Sequence, residues 1–231
     1  MTDAATRPLA LVTGASRGIG AATATALVGA GYRVIRMARS PMPPLAHCHD
    51  VAADLADHAT RSAALTALVH DLGVPDVVVN NAGSFLLAPL EESSDALLRE
   101  QLAINLEAPF AVARAFLPAM RLRGHGTHVL VGSIADWRAF PENAAYSASK
   151  FGARGLHEVL LEEMRGSGVR CTLVSPGPTD TSIWDPMDPD VRTDLPSRAE
   201  MLRPSDVADA ILFAVAAPRH VQIEVIRLGA S

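Results

Sequence analysis

The sequence predicts an α/β fold in one domain spanning 1–231: a doubly wound parallel sheet of about seven strands with helices on both faces. Three observations predict it. Short apolar runs alternate with longer segments of helical period, and right-handed crossovers then place successive helices on both faces of a parallel sheet. Ala, Val and Leu dominate a composition that is 49% hydrophobic and only 4% aromatic, which suits helices packed on a sheet buried on both faces. A length of 231 residues allows one sizeable core and is common for a doubly wound domain.

The elements follow in order. Leu9 to Thr13 reads as a strand, and a glycine-rich turn leads into a helix from Ile19 to Ala30. A second strand runs from Arg33 to Ala38, and Ser40 to Pro44, with three prolines, reads as the loop leaving it. The third strand takes in His47, Cys48 and His49, and Asp54 and Leu55 follow it. A helix from Thr60 to Leu72 and a strand from Asp76 to Asn80 complete the first half. Paired helical segments cover Ser94 to Arg123, followed by a strand from Thr127 to Ser133, a helix from Ala144 to Ser167 and a strand from Arg170 to Ser175. A helix from Ser205 to Ala217 and a strand from Val221 to Leu228 close the chain. Thr181 to Arg203, broken by Pro186, Pro189 and Pro196, follows a strand's C-terminal end, where ligands of open α/β sheets bind; residues 181–203 are therefore expected to form a substrate lid.

Bulk properties remove several function classes. A net charge of −5 comes with no basic run able to follow a phosphate backbone, so no nucleic-acid partner is expected. The longest apolar runs are broken by Gly, Pro or Arg, so no membrane span is expected. Cys48 and Cys171 fall in strand-like segments and no signal peptide opens the chain, which points to reduced thiols and the cytoplasm. His47 and His49 would share one strand face with Cys48 on the other, and no second ligand cluster accompanies them, so no metal site is expected.

The first strand is followed by Thr13-Gly14-Ala15-Ser16-Arg17-Gly18-Ile19-Gly20, leading straight into a helix. Glycines let the backbone approach a pyrophosphate, and the helix N-terminus offers free N–H groups and a positive dipole end. At the end of the second strand an acid would bind ribose hydroxyls, whereas a base would accept a 2′-phosphate. Here the run is Arg36-Met37-Ala38-Arg39, with no acid. Arg39 and Arg17 could clamp the phosphate by charge-assisted bidentate bonds, so NADP(H) is favoured over NAD(H).

A chemical site is legible as well. Of 20 basic residues only Lys150 is a lysine, and it stands four residues after Tyr146, one of two tyrosines. That pairing would arise by chance about once in 100 such chains, and on a helix it puts both side chains on one face. A fixed ammonium near the phenol would favour the phenolate, and lowering its pKa by ~3 units takes roughly 4 kcal/mol.

Taken in order, the chain resembles the classical short-chain dehydrogenase/reductase family. The turn has the T-G-x-x-x-G-I-G spacing, Asn80-Asn81-Ala82-Gly83 follows the fourth strand, and Tyr146-Ser147-Ala148-Ser149-Lys150 matches Y-x-x-x-K. Ser133 lies 13 residues before Tyr146, and Ser175-Pro176-Gly177-Pro178-Thr179-Asp180-Thr181 resembles the P-G motif after a later strand. The resemblance implies a Rossmann-type fold and an oxidoreductase in which Tyr146 protonates a carbonyl oxygen as hydride arrives from nicotinamide, while Ser133 holds that oxygen. It also implies that Asn105 supports a water leading protons to Lys150. Asp54 would contact adenine beside Leu55, and Asn81, Ala82 and Gly83 would line the adenosine side. Pro176 and Gly177 would lie against the cofactor, and Thr181 would touch the carboxamide.

The sequence departs from the family's pattern at Ser84, in having one serine in Gly132-Ser133-Ile134, and in the C-terminal Ile223-Glu224-Val225-Ile226-Arg227-Leu228, which lacks a glycine-rich close. Phe85, Trp137, Phe140, Ile183 and Trp184 are expected to give the pocket an apolar cast. The resulting reading is a carbonyl reductase or alcohol dehydrogenase for a small, partly apolar substrate. A 3-oxoacyl thioester reductase is the alternative, with Arg138, Arg192, Arg198 and Arg203 for an acidic carrier protein and Asp185, Asp188, Asp190 and Asp194 opposing. A non-catalytic NADP(H)-binding sensor is a third reading. A homodimer or homotetramer is implied through the helices of Ser94 to Arg123 and Ala144 to Ser167.

Overall fold

The computed structural model describes residues 7–231. Strands β1 (Leu9–Thr13), β2 (Arg33–Ala38), β3 (Cys48–Ala52), β4 (Val77–Asn80), β5 (Gly126–Val131), β6 (Val169–Pro176) and β7 (Val225–Leu228) form one parallel sheet in the order β3-β2-β1-β4-β5-β6-β7. The order turns outward in opposite directions from β1 and β4, and this switch point leaves a crevice at the strands' C-terminal ends.

Successive residues of a strand face opposite ways, and each face here has its own core. Leu9, Leu11, Ile35 and Met37 pack with Leu65 and Leu68 of α2 (His58–Asp71) and with Phe116, Leu117 and Met120 of α4 (Ala108–Arg123). Ala10, Val12, Val34 and Val79 meet Ala24 and Leu27 of α1 (Gly18–Gly29) and Val207 and Ile211 of α6 (Pro204–Ala216). Each such aliphatic side chain contributes about 1.5–3 kcal/mol on burial, so the unbroken apolar strands are what hold both helical layers to the sheet.

Helix α3 (Asp95–Leu102) starts where the Ser94 hydroxyl accepts from Leu97 N, and it runs through a π turn (Ala103–Glu107) into α4. The continuous helix Asp95–Arg123 is long and apolar enough by composition to cross a membrane. One face of it nonetheless packs into the core, where Val112 and Met120 have no exposed surface, while Leu98, Phe110 and Leu122 are exposed.

Several boundaries move for identifiable reasons. The fifth strand stops at Val131, because Ser133 turns away to cap a 3-10 turn (Ile134–Asp136). Helix α5 (Ala144–Glu163) ends before Gly166, whose φ of +74° is left-handed. Strand β7 begins only at Val225, since the Gln222 side-chain amide bonds both the N–H and the carbonyl of Cys171 in place of backbone. His47 lies outside β3 at φ 60°, so it does not share a strand face with His49. Among the described residues no group of three or more His, Cys, Asp or Glu is arranged to hold a metal.

Candidate active site

The crevice at the switch point is a cleft of about 970 Å³. Its floor is a knot between the ends of β1 and β4. The Thr13 hydroxyl accepts from the backbone N–H groups of Asn81 and Ala82, both at 3.0 Å, and Asn81 Nδ2 donates back to the Thr13 carbonyl at 2.9 Å. Gly14 sits at φ +65°, and a Cβ there would lie 2.7 Å from Ala82 Cα. A Cβ on Gly20 would overlap the Gly14 carbonyl oxygen, so any larger residue would push α1 off the turn. Gly20 therefore acts from behind, while Gly14, Ser16, Arg17, Gly18 and Ile19 line the cleft itself.

No side chain caps the start of α1, which leaves its first N–H groups directed at the cleft. An uncapped helix N-terminus over a glycine cradle fits the pyrophosphate of a dinucleotide. Asn81, Ala82, Gly83, Pro176, Gly177 and Thr181 also line the cleft. Asp54 and Leu55 close the outer end, where Asp54 also accepts from Ala56 N at 3.0 Å.

The arginines of β2 divide in two. Arg36 is buried and doubly bonded to Asp50 of β3 at 2.7 Å, so it is structural. Arg39 reaches the cleft with its side chain 71% exposed, and its only ion pair among the described residues is a loose one to Asp54 at 3.7 Å. Arg17 lines the same cleft.

Ser133, Tyr146 and Lys150 meet at the inner end. Ser133 is held by a capping box: its Oγ accepts from Ala135 N at 3.1 Å, and Asp136 Oδ2 accepts from Ser133 N at 3.0 Å. The spacing Ser133-x-x-Asp136 is a capping-box signature visible in the sequence, yet only the fold shows that this acid lies 1% exposed beside the site. Lys150 is buried, and its ammonium donates to the Val131 carbonyl at 3.2 Å, 5.7 Å from the centre of the Tyr146 ring.

The expectation that Lys150 draws the phenol down is not met in this structure. Burial pushes Tyr146 up to about 12, helped by the Asp136 charge and opposed by a hydrogen bond with the Ser133 hydroxyl. Burial likewise pushes Lys150 down to about 8, with Asp136 opposing. Desolvation acts against both charged forms and is the largest cause in each.

Asn105 sits in the π turn, a local widening that aims its side chain inward. Its Oδ1 accepts from Ser84 N at 3.1 Å, and its Nδ2 donates to the Ser84 carbonyl, Gln101 and Ser149. Ser149 in turn donates to the Tyr146 carbonyl at 2.7 Å. Asn105 thus ties the loop after β4 to the helix that carries Tyr146 and Lys150.

The outer pocket is aromatic. Phe85 meets Tyr146 edge-on at 4.7 Å between ring centres and Trp184 at 4.9 Å; Phe140 and Ile183 also line it. Trp137 does not: its ring lies under the Arg227 guanidinium at 4.7 Å. Segment 181–203 closes on itself where Asp180 N donates to the Leu202 carbonyl. Arg198 pins its interior, reaching Asp180 and Asp185 at 2.7 Å each and Asp190 at 3.7 Å. Arg192 links the segment to Glu142, in the loop before α5, at 3.0 Å and also pairs with Asp194.

Known proteins resemble this chain in sequence and architecture. The profile of the short chain dehydrogenase family matches residues 8–192. A D-threitol dehydrogenase of Mycolicibacterium smegmatis is 36% identical over 220 residues, covering 89% of this chain and 84% of that protein. A 2-(R)-hydroxypropyl-CoM dehydrogenase of Xanthobacter autotrophicus is 33% identical over 224 residues, covering 89% and 90%. An alcohol dehydrogenase of the archaeon Thermococcus sibiricus, solved with 5-hydroxy-NADP, superposes with a TM-score of 0.83 at 26% identity over 97% of both chains.

Proposed function

Because the chain belongs to the short chain dehydrogenase family, we propose that it moves hydride between NADP(H) and the carbonyl or secondary alcohol of a small, partly apolar, uncharged substrate. Membership makes it an oxidoreductase of alcohol and carbonyl groups that uses a nicotinamide cofactor. The observation that carries the finer reading is the convergence of Ser133, Tyr146 and Lys150 on one wall of a cleft whose other end is a glycine cradle.

A bound nicotinamide dinucleotide supplies the hydride for reduction and accepts it in oxidation. In reduction Tyr146 gives its proton to the carbonyl oxygen, while the Ser133 hydroxyl donates a hydrogen bond to that oxygen as negative charge develops. Lys150 returns a proton to the phenolate, and Asn105 supports the water that relays protons to Lys150. Gly14, Ser16, Arg17, Gly18, Ile19 and Gly20 build the pyrophosphate turn. Asp54, Leu55, Asn81, Ala82 and Gly83 take the adenosine, and Pro176, Gly177 and Thr181 take the nicotinamide end.

The NADP(H) preference rests on Arg39 and Arg17, since Arg36 is committed to Asp50. The Thermococcus sibiricus enzyme, solved with an NADP derivative, supports the same choice. Arg39→Ala is expected to weaken NADPH binding roughly 10- to 100-fold, the loss of one charge-assisted contact, and NADH binding less than about threefold. Titration of both cofactors checks it, and equal losses would sink the assignment.

Segment 181–203 is the lid in this reading. Arg198→Ala should raise KM roughly 3- to 30-fold while barely moving the unfolding midpoint, because exposed ion pairs are worth about 0.2–1 kcal/mol each. Steady-state kinetics beside a thermal melt read both effects.

The charge at the mouth supports an uncharged substrate. Glu100, Glu142 and Asp194 line the cleft there with Arg192 as the one base among the described lining residues at that end. Arg198 is spent on three aspartates and Arg203 on Asp206, which leaves little basic surface for an acidic carrier protein. Association into a dimer or tetramer through α4 and α5 is part of the proposal, with exposed Phe110 and Phe151 as support. So is a reducing, cytoplasmic setting, in keeping with the free thiols of Cys48 and Cys171.

The test is oxidation of NADPH and of NADH over uncharged aldehydes and ketones, keto acids and 3-oxoacyl thioesters, with Tyr146→Phe as the blank. Fastest turnover should come with NADPH and an uncharged ketone. A thioester preference would select the carrier-linked reductase, and NADPH binding without Tyr146-dependent turnover would select the sensor.

A further inference from the structure

Asp136 is a buried acid that the hydride-transfer scheme does not use. It is 1% exposed, and it sits at the end of the 3-10 turn that Ser133 begins. Its Oδ2 takes two hydrogen bonds, from Ser133 N at 3.0 Å and from the Ser175 hydroxyl of β6 at 2.6 Å. A Cβ on Gly132 would overlap the same oxygen, so the chain has kept room for the carboxylate there. Oδ1 is buried without a protein partner, and no ion pair involving Asp136 occurs among the described residues.

Two neutral donors and no adjacent cation leave the carboxylate charge uncompensated in a low-dielectric setting, where it acts over longer distances than at the surface. The groups that face it are few. Lys150 and Tyr146 of α5 both feel its charge. His157, farther along α5, is turned to the Glu224 carbonyl at 3.1 Å, and burial holds it below the ordinary imidazole range, so it brings no positive charge. Arg227 of β7, opposite Ser175 in register, directs its guanidinium to the Trp137 ring. Lys150 is thus the cation that answers Asp136, from within the cleft rather than as a contact pair.

We propose that Asp136 is a positioning residue of the proton-transfer machinery: its hydrogen bonds hold Ser133 in place, and its buried charge keeps Lys150 an ammonium. This rests on the roles proposed for Ser133, Tyr146 and Lys150. The physical logic is that burial alone disfavours the ammonium, and a carboxylate nearby restores it without occupying the cleft. The same charge disfavours the phenolate, so Asp136 biases the pair towards its protonated state, the one that reduces carbonyls.

Asp136→Asn separates geometry from charge, because the amide oxygen can still accept from Ser133 N and Ser175 while the negative charge is gone. With the charge removed, both Lys150 and Tyr146 lose their protons at lower pH. The rising limb of kcat/KM for alcohol oxidation should therefore move down by about one pH unit. Asp136→Ala should show the same shift with a further fall in kcat as Ser133 loosens. A lowered kcat with an unmoved limb would mean a purely structural acid and would overturn the proposal.

Ser175→Ala guards against misfolding of the first variant. It keeps the charge but removes one donor to it, so the limb should rise by about half a unit, and a limb at the wild-type position would also count against the idea. A readout independent of turnover is the phenolate absorbance of Tyr146, taken as wild type minus Tyr146→Phe, which should appear at lower pH in Asp136→Asn. If that absorbance shifts while Tyr146→Phe retains full turnover, the assigned catalytic roles fail and the electrostatic coupling stands. If Tyr146→Phe is inactive and nothing shifts, the coupling fails alone.

Discussion

Tyr146→Phe is expected to lower kcat for carbonyl reduction roughly 10²- to 10⁴-fold while leaving NADPH affinity within about twofold. The substitution removes one oxygen and little else. The ring would keep its edge contact with Phe85 at 4.7 Å, and its helix would remain tied through Ser149 and Asn105. With the phenol pushed up to about 12, the wild-type group is protonated at neutral pH, as the proposed acid role requires. Reduction should accordingly run well near pH 7, and alcohol oxidation, which needs the phenolate, should gain steadily as pH rises. Steady-state rates in both directions, with a binding titration for NADPH, check the prediction. A variant keeping more than about a tenth of the activity would remove Tyr146 from the chemistry.

Lys150→Met should abolish turnover and at the same time make the protein more stable. The depression of the amine from 10.5 to about 8 corresponds to roughly 3 kcal/mol against the folded ammonium. Losing the hydrogen bond to the Val131 carbonyl takes back about 1 kcal/mol, so a net gain near 2 kcal/mol is expected at pH 7. The sign follows from proton linkage. The unfolded lysine holds its proton up to about 10.5 and the folded one only to about 8, so the penalty is complete below pH 8. It fades between about 8 and 10.5, and the advantage of methionine fades with it. Tyr146 works in the other direction only above pH 10, where the folded phenol keeps its proton longer than the unfolded one. Denaturant unfolding at about pH 7 and again near pH 10 separates the two. Equal stability of the variant and the parent at pH 7 would mean that the amine carries no burial penalty. A lysine that destabilises its own fold is what a trade of stability for function looks like at one residue.

Much of this protein is written in local patterns. The apolar runs that became β1, β2, β4 and β6, the glycine turn before α1, and the four-residue spacing of Tyr146 and Lys150 can all be read directly, because each depends on neighbours within one turn or one strand. One boundary slipped where a distant partner decided it, Gln222 replacing backbone opposite Cys171. Another slipped for a local reason, Ser133 leaving its strand to cap the turn that follows. His47 fell outside its strand for a local reason too, a left-handed φ that strand periodicity does not reveal.

By itself, then, the sequence determined the alternation of elements, the doubly wound sheet, the glycine turn before α1 and the four-residue spacing of the candidate pair Tyr146 and Lys150, since these are properties of composition and short-range spacing. Only the tertiary structure decided that Arg36 is committed to Asp50 while Arg39 stays exposed at the cleft, that Arg198 pins segment 181–203 through three aspartates, and that Trp137 stays out of the pocket. It alone buried Asp136 against Ser175 and pushed the Tyr146 phenol up rather than down. The reason is physical: burial and charge act through space among residues that lie from 39 positions apart, as Asp136 and Ser175 do, to far more, and no periodicity encodes the dielectric a side chain will meet once the chain has folded around it.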